Sequence, residues 1–254
     1  MHLKNLLVLS ASLLLSAGLG YAEGPNISAW SVTVKGGPAY PVYGDFTGGA
    51  AEAVTTTEND EGEEVTTGDN ANINSLGWDE AFDDFLNLAV EVDFWESETR
   101  SLYLGVSRSQ ADGKSTLLGT FNGRSVTAKF SDYSDTGIYA GFRFGMGQTS
   151  WIKSLISVQL GATWIDAIDA TTTNLPNADK IGIYKSTTVF SAGTFVSIIL
   201  TPFDFLEVGV DAGFQYQTAP DGDSAELSLL GLDGVNSEGN LGLVPVRILA
   251  TIKF

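Results

Sequence analysis

The 254-residue sequence predicts an all-β transmembrane fold, an antiparallel up-and-down β-barrel of eight strands with long extracellular loops and short periplasmic turns. Three observations carry that reading. Eight segments place apolar side chains at every second position, which suits a strand with one face on lipid and one on a polar lumen. The connections between them alternate short and long. After Ala22 no run of about 18 apolar residues remains from which a spanning helix could be made.

The chain opens with Lys4 as the only full side-chain charge in its first five residues, followed by an apolar run from Leu6 to about Gly20 and the small-residue site Gly20-Tyr21-Ala22. That order predicts a secretory signal peptide over residues 1–22 and a barrel over 23–254. The run is shorter than the roughly 20 residues a spanning helix needs. There is no cysteine, so no disulfide supports the fold. The 29 glycines, with abundant Thr, Ser and Val, favour β structure. Of the 13 basic residues only Lys4 lies in the signal, so 12 face 31 acids in the mature chain, a balance of −19. Such a surface argues against binding nucleic-acid phosphates and suits a hydrated exterior.

The strands follow in order. Trp30, Val32 and Val34 alternate with Ser31, Thr33 and Lys35. Leu86, Leu88, Val90, Val92 and Phe94 alternate with Asn87, Ala89, Glu91 and Asp93. Leu102, Leu104 and Val106 make the third stripe, and Ile138, Ala140, Phe142, Phe144 and Met146 the fourth, opposite Tyr139, Gly141 and Arg143. Ile156, Val158, Leu160, Ala162 and Trp164 form the fifth. The sixth, Phe190 to Leu200, is weaker, because Thr194 interrupts it and Phe195 and Ile199 fall on the other face. Leu206 to Tyr216 alternates with Glu207, Gly209, Asp211 and Gln215. In the last, Val244, Val246, Ile248, Ala250, Ile252 and Phe254 oppose Leu243, Pro245, Arg247, Leu249, Thr251 and Lys253.

Between the strands, 96–99, 147–153 and 201–204 are short, whereas 43–81, 110–135, 169–185 and 218–240 are long. Every long connection therefore lies at one end, which a soluble sandwich has no reason to do. Aromatics near the strand ends suggest two interfacial girdles: Trp30, Trp95, Trp151, Phe203, Phe205 and Phe254 at the short-turn end, Tyr40, Phe82, Trp164 and Tyr216 at the other. Pro245 lacks a ladder donor and predicts a bulge or unpaired position. Thr116–Phe121, Asn122-Gly123 and Arg124–Phe130 read as a hairpin. If it crossed the membrane the count would be ten. Its arms are shorter than the roughly 9–11 residues of a tilted spanning strand, so it is expected to stand above the outer leaflet.

With these features the chain resembles the small eight-stranded outer-membrane barrels, the group containing the membrane domain of outer membrane protein A and the opacity-type adhesins. The resemblance implies location in the cell outer membrane and a non-enzymatic structural or surface-interaction role, with a narrow porin-like channel for small solutes as the alternative. It also implies that the terminal aromatic strand, through Phe254 and Ile252, is an assembly signal for the barrel-assembly machinery. The expected partners are outer-membrane lipid and lipopolysaccharide. A monomer is expected, with no cofactor and no bound metal, and the ligand of the outer loops is not specified.

On this register the lumen receives Lys35, Arg143, Arg247 and Lys253 against Glu91, Asp93, Glu207 and Asp211. They read either as a packed ion-pair network or as the lining of a charged pore. An eight-stranded interior is just wide enough for side chains to fill, which favours the network. The only histidine is His2, within the predicted signal, so Ser-His and Cys-His nucleophile activation are unavailable to the mature chain. The carboxylate pairs Glu91/Asp93 and Asp83/Asp84 are more simply ion-paired or solvated. Glu58–Glu64, an acidic run, reads as a solvated mobile loop, and its spacing does not match a twelve-residue calcium loop. Lys114, Arg124 and Lys129 could meet lipopolysaccharide phosphates, and Arg108, on the lipid-facing parity, could snorkel to the same level.

Overall fold

The computed structural model describes residues 30–51, 55–58, 64–67, 71–96, 100–149, 151–174, 180–223, 235 and 239–254. The predicted signal peptide lies outside them. Eight strands form the barrel: β1 (Ser31–Tyr43), β2 (Phe85–Glu96), β3 (Arg100–Ala111), β4 (Tyr133–Gln148), β5 (Ile152–Ile165), β6 (Thr187–Phe203), β7 (Leu206–Gln217) and β8 (Leu241–Lys253). Each pairs antiparallel with its sequence neighbours, and β1 closes on β8. Closure leaves no open edge in the barrel, as a membrane-spanning sheet requires.

The alternation read from each strand decides which side chains face outward. Val34, Leu104, Ile138, Leu160, Val210 and Ile248 are exposed around the outside. Lys35, Glu91, Arg143, Ser157, Gln159 and Arg247 are buried inside. An apolar surface running round a whole domain exceeds what a soluble monomer exposes and fits hydrocarbon as its solvent. In the sixth strand Phe195 and Ile199 do turn inward, and Thr194 takes an outward place.

Pro245 produces no bulge. Ala39 of β1 stands opposite it in the unbroken register that pairs Lys35 with Leu249, and the irregularity lies between Pro41 and Tyr43. Toward β7, pairing holds at Ala212/Val246 and resumes at Gln215/Leu243 in the same register, passing over the proline. At the top of the seam Gly44 has φ +96°, and a Cβ there would meet the Asn240 carbonyl oxygen at 1.8 Å. Only glycine allows the chain to leave β1 that close to β8.

The long connections carry more regular structure than their composition suggested, while residues 59–63 of the acidic run read as a solvated mobile loop lie outside the described residues. Three of the long connections supply a six-stranded sheet in the order Lys180–Tyr184, Ile168–Thr172, Arg124–Phe130, Ser115–Phe121, Ala71–Ile73, Ala50–Ala51. The Asn122-Gly123 hairpin is its centre, with positive φ at both turn residues. It pairs with cap strands and not with the barrel, so the spanning count is eight. The acidic first connection also contains a hairpin, Thr55–Glu58 against Glu64–Thr67, whose tip lies outside the described residues.

One face of the cap sheet buries Leu118, Phe121, Val126, Phe130, Ile181 and Ile183. Phe46 is the hub beneath it, with its ring 4.9 Å from Trp78, 5.1 Å from Phe82, 4.9 Å from Phe130 and 5.5 Å from Tyr184, all edge-on. Phe82 is therefore a core residue of the cap and not part of an interfacial girdle. Trp78 begins a single helical turn, Trp78–Ala81, and its indole N–H donates to the Asn240 carbonyl at 2.9 Å. The fourth connection joins the cap through buried Val235, whose carbonyl accepts from Gly48 N at 2.9 Å.

At the other end Trp30 stacks on Phe254 at 4.8 Å and Phe203 on Phe205 at 5.6 Å, while Trp151 is exposed. These aromatics ring the short-turn end. The side chain of Trp95 lies outside the described residues. Tyr40 and Trp164 are exposed near the opposite rim, where Tyr216 instead donates to Asn240 Oδ1 at 2.8 Å.

Candidate functional site: the barrel lumen

The lumen holds a zigzag of charges contributed by five of the eight strands, some adjacent in the ring and some not. Asp211 sits directly across from Arg247 in the β7–β8 ladder, and the guanidinium grips it with Nε–Oδ1 and Nη2–Oδ2 contacts of 2.9 Å each. Arg247 also donates to Asn87 Oδ1 at 3.1 Å and lies over the Phe195 ring at 4.5 Å. Lys35 bridges Asp211 at 2.8 Å and Glu91 at 3.0 Å. Arg143 in turn bridges Glu91 and Asp93, one guanidinium nitrogen to each. Ser101 donates to Asp93 Oδ1 at 2.8 Å, so each carboxylate has donors from two or more directions. The column thus ties β1, β2, β4, β7 and β8 together across the interior.

A second cluster occupies the short-turn end. Lys153 and Lys253 both contact Glu207 Oε1, at 2.7 Å and 2.6 Å. Lys153 escaped the sequence reading because 147–153 was assigned to a turn. In the structure β5 starts at Ile152, which gives Lys153 inward parity. Asp135 was missed for the same reason at the opposite end, where β4 begins at Tyr133. Its carboxylate is buried and accepts from Tyr133 Oη at 2.8 Å, Gln217 Nε2 at 3.1 Å and Ser109 N at 3.0 Å. Among the described residues the interior therefore carries five basic and five acidic side chains.

Two tyrosines fill the space beside the charges. Tyr103 lies opposite Gly141 and Tyr139 opposite Gly105 in the β3–β4 ladder. Each ring covers the facing glycine so closely that a Cβ would fall 2.2 Å or 2.4 Å from ring carbons. Arg143 sits 4.0 Å over the Tyr103 ring, and Tyr139 donates to Glu91 at 3.0 Å. Glycine here makes room for large side chains in a narrow tube. Arg108 does not extend freely along the lipid face: it is half-buried and donates to Ser134 at 3.3 Å.

A closed ring of eight antiparallel strands with an apolar outside and a charged, filled inside settles the architecture. The fold is that of a small outer-membrane barrel. The solved structures similar to this chain are of the same kind. Neisserial surface protein A shares 11% identity with a TM-score of 0.42, covering 89% of this chain and 99% of that one. The outer membrane protein OprG from Pseudomonas aeruginosa shares 12% at 0.41, covering 88% and 95%. The outer membrane protease OmpT from Escherichia coli shares 9% at 0.44, covering 92% and 99%. No protein-family model matches the chain, and no curated protein matches it.

Proposed function

We propose that this protein is a non-enzymatic scaffold of the outer membrane, with a lumen filled by ion pairs and a folded cap that presents an acidic surface outside the cell. The observation that carries this reading is the pairing of the interior charges with one another, in a tube whose tyrosines occupy the remaining width. Charges set for conduction would leave a hydrated path between them. Glu91 and Asp93 are held by Arg143, so neither is available as an acid or a base. Asp83 forms a 3.5 Å pair with Lys114 at the rim and is largely exposed, as expected of a solvated carboxylate. The only histidine is His2, within the proposed export signal, so this reading leaves no imidazole to activate a hydroxyl.

Lipid and lipopolysaccharide are the partners this reading implies, with Trp30, Phe203, Phe205 and Phe254 as anchors at the inner interface. Of the cations considered for phosphate contacts, Lys114 donates to the Asp79 carbonyl and Lys129 to the Gly113 carbonyl, while Arg124 is exposed at the hairpin tip. The reading keeps the terminal strand, with Phe254 and Ile252, as the signal for barrel assembly and residues 1–22 as the export signal. Reconstitution into planar bilayers tests the scaffold against a narrow channel. The expected record is electrically silent, and a reproducible unitary conductance that Arg143→Ala or Arg247→Ala alters would establish the channel instead.

A further inference from the structure

The two ends of the lumen differ in kind. At the long-loop end, inward residues Ala39, Phe85, Tyr133, Ile165, Val189 and Leu243 belong to one apolar cluster with Phe46, Trp78 and Phe82 of the cap. Seven of the eight strands contribute to it, and together with the buried hydrogen-bonded group of Asp135, Tyr133 and Gln217 it closes the outer end of the lumen, continuous with the cap. At the short-turn end a 40 Å³ cavity is lined by polar groups that include Ser31, Ser101, Arg143, Ser197, Glu207 and Thr251. A cavity of that size and polarity has room for about two or three waters.

Side-chain exposure marks the direction of the opening. It is 20% and 22% at Lys153 and Lys253, 10% at Arg143, 3% at Lys35 and 1% at Arg247. The decline runs from the short-turn end toward the cap. Ser31, Ser101, Glu207 and Thr251 lie within two residues of strand ends on that same side.

We propose that the short-turn end of the otherwise filled lumen is a hydrated, blind-ended chamber, which admits water from the periplasmic side and is closed to the exterior by the ion-pair column and the apolar cluster under the cap. This rests on the scaffold reading and adds a sidedness to it. Water supplies the remaining hydrogen bonds of the serines and threonines at the inner end, and the aromatic layer excludes it at the outer end.

The cysteine-free chain allows a direct test. Ser197→Cys is reconstituted in vesicles of a single orientation, set by labelling Thr127→Cys on the cap with an impermeant maleimide. Silver ion, small and thiol-specific, is added on one side, and surviving thiol is counted with maleimide after unfolding. The expected result is loss of the thiol to silver from the periplasmic side and its retention against silver on the cap side. Retention against both would overturn the chamber and leave the scaffold standing. Loss at equal rates from both sides, or from the cap side alone, would overturn both. Ser101→Cys, nearer the mouth, gives the same comparison where Ser197→Cys does not fold.

Discussion

Arg247→Ala is the substitution with the sharpest expected consequence. Arg247 is almost fully buried, makes a two-point contact with Asp211, donates to Asn87 and stacks on Phe195. Its removal strands a buried carboxylate that keeps only Lys35, at 2.8 Å, and breaking a buried pair in this way costs about 3–5 kcal/mol. The orphaned Asn87 carbonyl oxygen contributes within that range, at about 1–3 kcal/mol if it stays dry. The comparison is Arg124→Ala, an exposed hairpin-tip position, where surface substitutions stay within about 0.5 kcal/mol. Urea unfolding in lipid vesicles, followed by tryptophan fluorescence and the heat-modifiable gel shift, measures both. Equal unfolding midpoints for the two variants would refute the argument that the lumen is a stabilising network. Arg247→Ala with Asp211→Ala tests the pair: the double variant should lose less than the sum of the singles, with a coupling of about 0.5–3 kcal/mol.

Other outcomes follow from the same geometry. Phe46→Ala empties the hub of the cap, a loss of about 3–5 kcal/mol confined to that layer; proteolysis should cut the cap while the barrel keeps its gel shift, and an uncut cap would contradict this. Gly141→Ala forces the Tyr103 ring aside and should destabilise the barrel by about 1–3 kcal/mol in the same urea assay, with Tyr103→Phe leaving the clash and Tyr103→Ala relieving it. Gly44→Ala should impair folding at the β1–β8 seam, read as a smaller heat-modifiable fraction after refolding, because the new Cβ would overlap the Asn240 carbonyl.

The barrel was legible because its determinant is local. A strand has period two, so the inward positions of Lys35, Glu91, Arg247 and Lys253 follow from the order of residues within each stripe. Strand ends were less legible: Lys153 and Asp135 entered the lumen because β5 and β4 run further than their apolar stripes, paired by backbone groups that composition does not report. The cap was not legible. Phe46, Trp78 and Tyr184 are far apart in sequence, the last beyond four barrel strands, and their meeting depends on connections that fold over the same barrel mouth.

Sequence by itself thus determined which face of each strand meets lipid and turned eight charges inward, since alternation is a property of short segments, whereas the choice between eight and ten spanning strands needed the pairing of the Asn122-Gly123 hairpin. Tertiary structure alone decided who pairs with whom. Lys35 meets Asp211 from 176 residues away because closure of the ring sets β1 and β7 on either side of β8, with both side chains pointing into one narrow tube. It also decided that the long connections form a core above the membrane, because burying Phe46 needs aromatic groups from three different connections at once. A pairwise contact across a closed sheet is a consequence of register and closure, and neither is written in any one segment of the chain.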